Sequence, residues 1–231
     1  MPVRYFVLSL FVLILAAQAI SQAPKTRKEK ISYALGVNTA RNWGKESADI
    51  DLNMYIKGLK DALENKNVLM SDEESSDSVK AFNKDNFDHA MAEMKKLADK
   101  NKKEGAKFLE ENRKKPGVVM LSDSLQYKVL KEGSGKRPTL EDTVTVNYKG
   151  TLLDGTEFDS SVKQGKPAVL PLGRLIKGWT EALQLMRPGA KWQIFVPPNL
   201  AYGEHGKQPA IGPNATLIFE IELLSFKEGT K

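Results

Sequence analysis

Residues 143–161 read "TVTVNYKGTLLDGTEFDSS", and the alternation in the first half of that stretch decides the fold of the C-terminal region. Successive side chains of a strand point to opposite faces, so Val144, Val146 and Tyr148 share one side while Thr143, Thr145 and Asn147 share the other. Asp154-Gly155 is a hairpin signal, which brings the chain back through Phe158 as a second strand. Downstream, "KWQIFV" from Lys191 and "ATLIFEIELLSF" from Ala215 are further strands. In the latter Leu217, Phe219, Ile221 and Leu223 face a core, and Glu220 and Glu222 take the solvent side. Upstream, "SLQYKVL" from Ser124 alternates in the same way. Between them "GWTEALQLM" places Trp179, Leu183 and Met186 on one face of a short helix, closed by Pro188-Gly189. A short helix against an antiparallel sheet is an α+β domain.

Before Pro116-Gly117 the composition changes. From about Ser21 to Lys115 the chain is rich in Lys, Glu, Ala and Asn, with helical periodicity and few β-branched runs. Ile31, Leu35 and Val37 mark one short amphipathic segment, and Leu52, Tyr55, Ile56, Leu59 and Leu63 another. "SDEESSDS" at 71–78 supplies caps and acidic charge for the start of a third helix. That helix is predicted to continue to about Lys114, which at 1.5 Å per residue makes it about 60 Å long. Phe87, Met91, Met94 and Ala98 form a seam on it that suits another helix. The same seam continues through Asn101, Gly105 and Phe108 among charges, so this end is expected to stand in water between domains. Pairs such as Asp99 with Lys103 and Glu110 with Lys114 would support it there. Three helices with so little apolar surface call for a partner, and a second copy of the chain is the simplest one.

Composition narrows the chemistry. The chain has 231 residues, 41% of them hydrophobic, and 35 basic against 29 acidic side chains give a formal charge of +6. The charges are mixed in sign and lack a basic block with interleaved aromatics, so nucleic acid is not an expected partner. Arg4, the apolar run "YFVLSLFVLILAA" and Ala17-Gln18-Ala19 spell a signal peptide over residues 1–19. The run falls short of the about 20 residues of a spanning helix. An exported, periplasmic protein follows, with association to the outer membrane left open. The expected organisation is therefore a signal peptide (1–19), a helical domain with a long linker helix (20–115) and an α+β domain (116–231). There is no cysteine and there are two histidines, His89 and His205, far apart in sequence. No disulfide, zinc site, redox centre or cofactor is expected, and the reaction to look for is one that breaks no covalent bond.

"VTVNYKGTLLDGTEFDSS", "LIKGWTEALQLM", "AYGEHG" and "IGPNATLIFEIELL" together resemble the FK506-binding-protein class of peptidyl-prolyl cis-trans isomerase. "YALGVNTARNWG", "KGLKDAL" and "FLEENRKKPGVVML" extend the likeness to the exported bacterial macrophage-infectivity-potentiator type, whose helical N-terminal part dimerises. The resemblance implies an antiparallel sheet wrapped on a short helix, and a site made by Asp159, Tyr202, Phe158 and Trp179 with Tyr148, Leu175, Ile176, Ile211 and Phe219. Trp179 would be the floor under a proline ring, with Tyr148, Phe158 and Phe219 as walls. The Ile176 N–H and the Tyr202 hydroxyl would hold carbonyls of the peptide, and Asp159 would orient the site. The implied partners are proline-containing unfolded or exported polypeptides, with FK506-type macrolides as inhibitors. Three positions depart from the family's prototype: Ala168 stands for an aromatic, Lys207 for a histidine and Gln164 for an arginine.

The implied reaction is rotation about an X-Pro amide, whose barrier is about 18–20 kcal/mol. Twisting removes resonance and with it much of the carbonyl dipole, so a dry aromatic pocket should favour the twisted state over the planar one. A rival expectation is a dimeric holdase-type chaperone or peptide-binding module in which isomerisation is incidental or absent.

Overall fold

A computed structural model describes residues 23–44, 49–64, 66, 68–121 and 124–229. The expected signal peptide at 1–19 lies outside the described residues. The chain divides into two compact units, residues 1–77 and 78–231.

In the first unit, α1 (Arg27–Trp43) opens with a capping box: the Thr26 hydroxyl accepts from the Glu29 N–H, and the Glu29 carboxylate accepts from the Thr26 N–H. Helix α2 (Leu52–Leu63) starts at Asp51, whose side chain accepts from the Asn53 and Met54 N–H groups. Trp43 and Tyr55 meet edge to face, with ring centroids 4.8 Å apart. Most of the apolar side chains predicted from the periodicity are nonetheless exposed, among them Ile31, Leu35, Tyr55, Ile56, Leu59 and Leu63. α1 buries no residue at all.

Helix α3 (Asp72–Asn112) is 41 residues long. It begins where the acidic run predicts, with Ser71 and Glu74 exchanging backbone-to-side-chain bonds of 2.9 and 3.2 Å. Phe87 and Met91 are open to solvent, but the expectation that the seam's second half stands in water is overturned. From Met94 onward the stripe Met94, Leu97, Asn101, Gly105, Phe108, Leu109 and Asn112 is docked on the rest of its unit. Asn101 Nδ2 donates to the Pro213 carbonyl at 2.8 Å, Leu97 packs against Gly212, and Phe108 lies 5.8 Å from Phe195. At the last turn Gln126 Nε2 donates to the Leu109 carbonyl at 2.8 Å, which also accepts from the Arg113 N–H at 3.1 Å. Asn112 Nδ2 donates in turn to Gln126 Oε1 at 3.0 Å. Gly105 is what lets the helix come this close, since a Cβ there would run into the buried Thr216 hydroxyl. The polar and small residues that read as a wet surface are a close-approach face. Of the two predicted ion pairs, Glu110 with Lys114 forms at 3.1 Å; Asp99 and Lys103 make none among the described residues.

The strands are β1 (Val118–Met120), β2 (Gln126–Lys131), β3 (Thr143–Thr151), β4 (Glu157–Ser160), β5 (Ala168–Pro171), β6 (Lys191–Val196) and β7 (Leu217–Lys227), with α4 (Lys177–Leu183) between β5 and β6. They form one antiparallel sheet in the order β1-β2-β6-β7-β3-β4, with β5 also paired to β3. The predicted alternation holds: Val144 and Val146 of β3, and Leu217, Phe219, Ile221 and Leu223 of β7, are buried. The concave face closes on Trp179, Leu183 and Met186 from α4 and the turn after it. The Asp154-Gly155 turn closes the β3–β4 hairpin through a Gly155 N–H bond to the Leu152 carbonyl at 3.1 Å.

Candidate active site

Four elements each contribute one ring to a single cluster. Tyr148 of β3 and Trp179 of α4 meet edge to face at 5.2 Å, Trp179 meets Phe219 of β7 at 5.2 Å, and Phe219 meets Phe158 of β4 at 5.5 Å. All three pairs are within about ten degrees of perpendicular, the arrangement in which a positive ring edge faces a negative ring face. The two phenylalanines close over Gly150, where a Cβ would lie 2.6 Å from Phe158 Cζ and 2.9 Å from Phe219 Cε1. Trp179 and Phe219 are 5% and 4% exposed, whereas Tyr148 and Phe158 are half-buried. The cluster is thus core at its base and accessible at its top. The Trp179 indole N–H is buried without a hydrogen-bond acceptor, in keeping with a floor made of rings alone.

A cleft of about 390 Å³ opens above these rings. Eight of the nine expected residues line it: Tyr148, Phe158, Asp159, Leu175, Ile176, Trp179, Tyr202 and Phe219. Ile211 does not. It is buried in the core beneath the loop, where its backbone exchanges bonds of 2.7 and 2.9 Å with Lys207. Leu170, Arg174 and Lys207 complete the lining. Leu170 had a signal, since it follows Ala168 on the same strand face; both are half-buried against the core, and of the two Leu170 lines the cleft. Arg174 had none: a 3-10 turn at Leu172–Arg174 swings it to the rim.

Asp159 is exposed but tethered. The Tyr148 hydroxyl donates to its Oδ2 at 2.7 Å, and the Ser160 N–H and Gln164 Nε2 donate to its Oδ1 at 2.9 and 3.2 Å. Burial first, then the bond to Asp159 and its negative charge, push the Tyr148 phenol up to about 12. The phenol therefore keeps its proton, and its role as donor, at any ordinary pH. Two other donors on the cleft wall are free. Ile176, the residue before α4, has its N–H outside the helix ladder, and the Tyr202 hydroxyl has no hydrogen bond among the described residues. The Lys207 ammonium sits 5.4 Å above the Tyr202 ring. Among the described residues no three His, Asp or Glu side chains gather as metal ligands would.

A ring-walled cleft with free hydrogen-bond donors and a tethered carboxylate suits the class of enzyme that turns a bound peptide without cutting it. Comparison with known proteins gives that class its family. Residues 135–224 match the FKBP-type peptidyl-prolyl cis-trans isomerase domain, and residues 28–129 match the domain amino-terminal to it. The peptidyl-prolyl cis-trans isomerase Mip of Coxiella burnetii is 46% identical over 217 residues, 94% of each chain. The outer membrane protein MIP of Legionella longbeachae is 44% identical over 203 residues, 88% of this chain and 87% of that one. The crystal structure of FkpA from Escherichia coli superposes with a TM-score of 0.70 at 40% identity, covering 90% of this chain and all of that one. The chain belongs to the FKBP-type peptidyl-prolyl cis-trans isomerases. It is an isomerase of X-Pro bonds, and a binding module without catalysis is not the favoured reading.

Proposed function

We propose that the protein speeds the folding of exported polypeptides by holding a prolyl ring on Trp179 between Tyr148, Phe158 and Phe219 while the amide before it turns. The Ile176 N–H and the Tyr202 hydroxyl hold flanking carbonyls of the peptide, and Leu175 packs beside the chain. Asp159, held by Tyr148 and Gln164, presents a fixed negative field to the carbonyl that twists. Ile211 supports the loop that carries Tyr202. The observation that carries this reading is the pair of unengaged donors, Ile176 N–H and Tyr202 hydroxyl, on the wall of a cleft floored by rings. A ten-thousandfold acceleration needs about 5.5 kcal/mol of preference for the twisted state. Loss of the planar amide's hydration in a dry cleft, with the peptide fixed at its flanking carbonyls by one or two hydrogen bonds, is of that size.

Residues 1–19 direct export to the periplasm, and residues 20–115 form a helical dimerisation domain. What supports the dimer is the amount of apolar surface left open on α1, α2 and the first half of α3, with Leu63 at 75% and Phe87 at 64% exposed. Among the described residues no helix is long and apolar enough to cross a membrane. FK506-type macrolides would compete for the same cleft. The decisive experiment measures cis-to-trans conversion of a short X-Pro peptide by the intact chain, by Asp159→Leu and by Tyr202→Ala, with and without FK506. Parallel assays follow proline-limited refolding and the aggregation of a proline-free client. Loss of prolyl catalysis in both variants with aggregation suppression kept would separate the two activities. Conversion no faster than in buffer would refute the proposed mechanism.

A further inference from the structure

A second opening, of about 340 Å³, lies where α3 meets the β3–β4 turn and the loop that follows Tyr202. Its walls are apolar and come in pairs: Met94 and Leu97 from α3, Leu152 and Leu153 from the turn, Pro209 and Ala210 from the loop. Packing does not use all of this surface. Leu97 is 38% exposed, Pro209 and Ala210 are exposed, and Leu153, unlike Leu152, is half-buried without joining the core. The charged side chains of the lining, Lys100, Glu104 and Asp154, are of both signs, so charge does not choose the occupant. One amide reaches across. Gln208 Nε2 donates to the Met94 thioether at 3.7 Å, and its Oε1 has no hydrogen bond among the described residues. Because a thioether is a weak acceptor, this amide can exchange it for a peptide unit, which offers both a donor and an acceptor.

The groove is continuous with the prolyl cleft. Lys207 lines the cleft and Gln208, the next residue, lines the groove; the β3–β4 hairpin borders both, with Leu153 on the groove and Phe158 on the cleft. A chain whose proline sits on the rings has only to cross the loop to enter it. That crossing is roughly 10–15 Å, which about three to five extended residues span. We infer that the groove is a second subsite for the same client, taking an apolar side chain such as Leu, Met or Phe about three to five residues from the proline of an unfolded chain. The inference rests on the prolyl-isomerase reading of the cleft. The groove is remote from the amide that turns and grips the client alike in planar and twisted states, so its effect appears in KM and leaves kcat little changed. Half-burying a leucine there favours it over serine about fivefold.

The test uses the intact chain and prolyl peptides of about twelve residues, otherwise Ser and Gly. Each carries one Leu, or Ser in its place, about three, four or five residues from the proline on either side. At one or more of these positions the Leu peptide should show a KM about fivefold below that of its Ser partner, with kcat the same within about twofold. The ratio should hold at about 0.5 M salt, since it comes from apolar burial and not from charge. Leu153→Ser and Met94→Ser should each lower it about twofold, and the double variant should bring it near one. The ratio is internal to each variant, so a general loss of folded protein cancels. A peptide of about four residues, too short to leave the cleft, should be turned over equally by all of them. Equal KM for Leu and Ser at every position, with both peptides accelerated over buffer, would overturn the subsite and leave the isomerase reading standing. A ratio unchanged in the double variant would overturn its assignment to this groove. A ratio that disappears as the enzyme concentration rises would give the groove to a second copy of the chain and overturn the client reading. No acceleration of any peptide would overturn the isomerase reading and this inference together.

Discussion

Replacing Gly105 by alanine separates a docked helix from a free one. In an exposed helix interior the change stabilises by about 1 kcal/mol, because alanine removes the conformational cost of glycine. At Gly105 the added methyl would lie well inside van der Waals contact distance of Thr216 Oγ1 and 3.3 Å from Thr216 Cβ. Thr216 is 2% exposed and β-branched, so it has little room to turn away. Overpacking of this kind costs about 1–3 kcal/mol, which outweighs the helix gain and leaves a net loss of about 1 kcal/mol. The partner variant supplies the control. The Thr216 hydroxyl is buried without a hydrogen-bond partner, so Thr216→Ala removes the obstruction without breaking a bond, and the double variant should recover the helix gain. Urea unfolding in a Trp43→Phe background lets Trp179 and Trp192, both in the isomerase unit, report the transition. The double-mutant cycle should give a coupling of about 2 kcal/mol. If Gly105→Ala stabilises on its own and does not couple to Thr216, the helix is not seated on the domain and the reasoning fails.

Gly150→Ala should push Phe158 and Phe219 apart, since its Cβ would fall 2.6 Å from one ring and 2.9 Å from the other; kcat/KM for an X-Pro peptide should drop at least about tenfold, the equivalent of about 1.4 kcal/mol, while chemical denaturation shows the domain still folded. Prolyl catalysis should be flat between about pH 6 and 9, because the Tyr148 phenol, raised to about 12, keeps its proton throughout. The sign at high pH follows: a folded value above the unfolded one stabilises fully below about pH 10, so that contribution is lost as pH rises toward 12, and a rate profile with a bell near neutrality would contradict it. Asp142 is held below its ordinary carboxylate value by the Thr139 N–H at 2.7 Å and the Gly229 N–H at 3.0 Å. A depressed folded value stabilises above the unfolded value of about 4 and is lost on acidification, so the stability gap between the protein and Asp142→Asn, read by urea titration, should be full at pH 6 and narrow toward pH 2.

The strands were legible because each has one face against the core: alternation at Val144 and Val146, and from Leu217 to Leu223, needs only local chemistry to read. Strand β1, three residues long, is too short to alternate visibly. The site was legible only in company. Trp179 and Phe219 are as buried as any core residue, and nothing in their own neighbourhoods separates a pocket floor from packing. What marks them is their order along the chain with Tyr148, Phe158 and Tyr202. Ile211 was placed in the lining by that order, yet its loop turns it inward. Arg174 carried no periodic signal because an irregular turn aims it. The docking face of α3 was misread for a different reason. Helical periodicity reports how apolar a stripe is, and this stripe works through closeness and hydrogen bonding: a glycine against a hydroxyl-bearing side chain, and an asparagine bonded to a carbonyl 112 positions later.

The seated end of α3 also fixes where the catalytic unit can be cut. A fragment starting at Pro116, where composition changes, would strip the cover from Phe195, Thr216 and Gln126 and leave the Pro213 carbonyl without its donor. A fragment that begins near Met94, upstream of every one of those contacts, would keep them all. In this chain the stalk is shared property, and any graft, truncation or swap of modules has to carry its last five turns along with the enzyme.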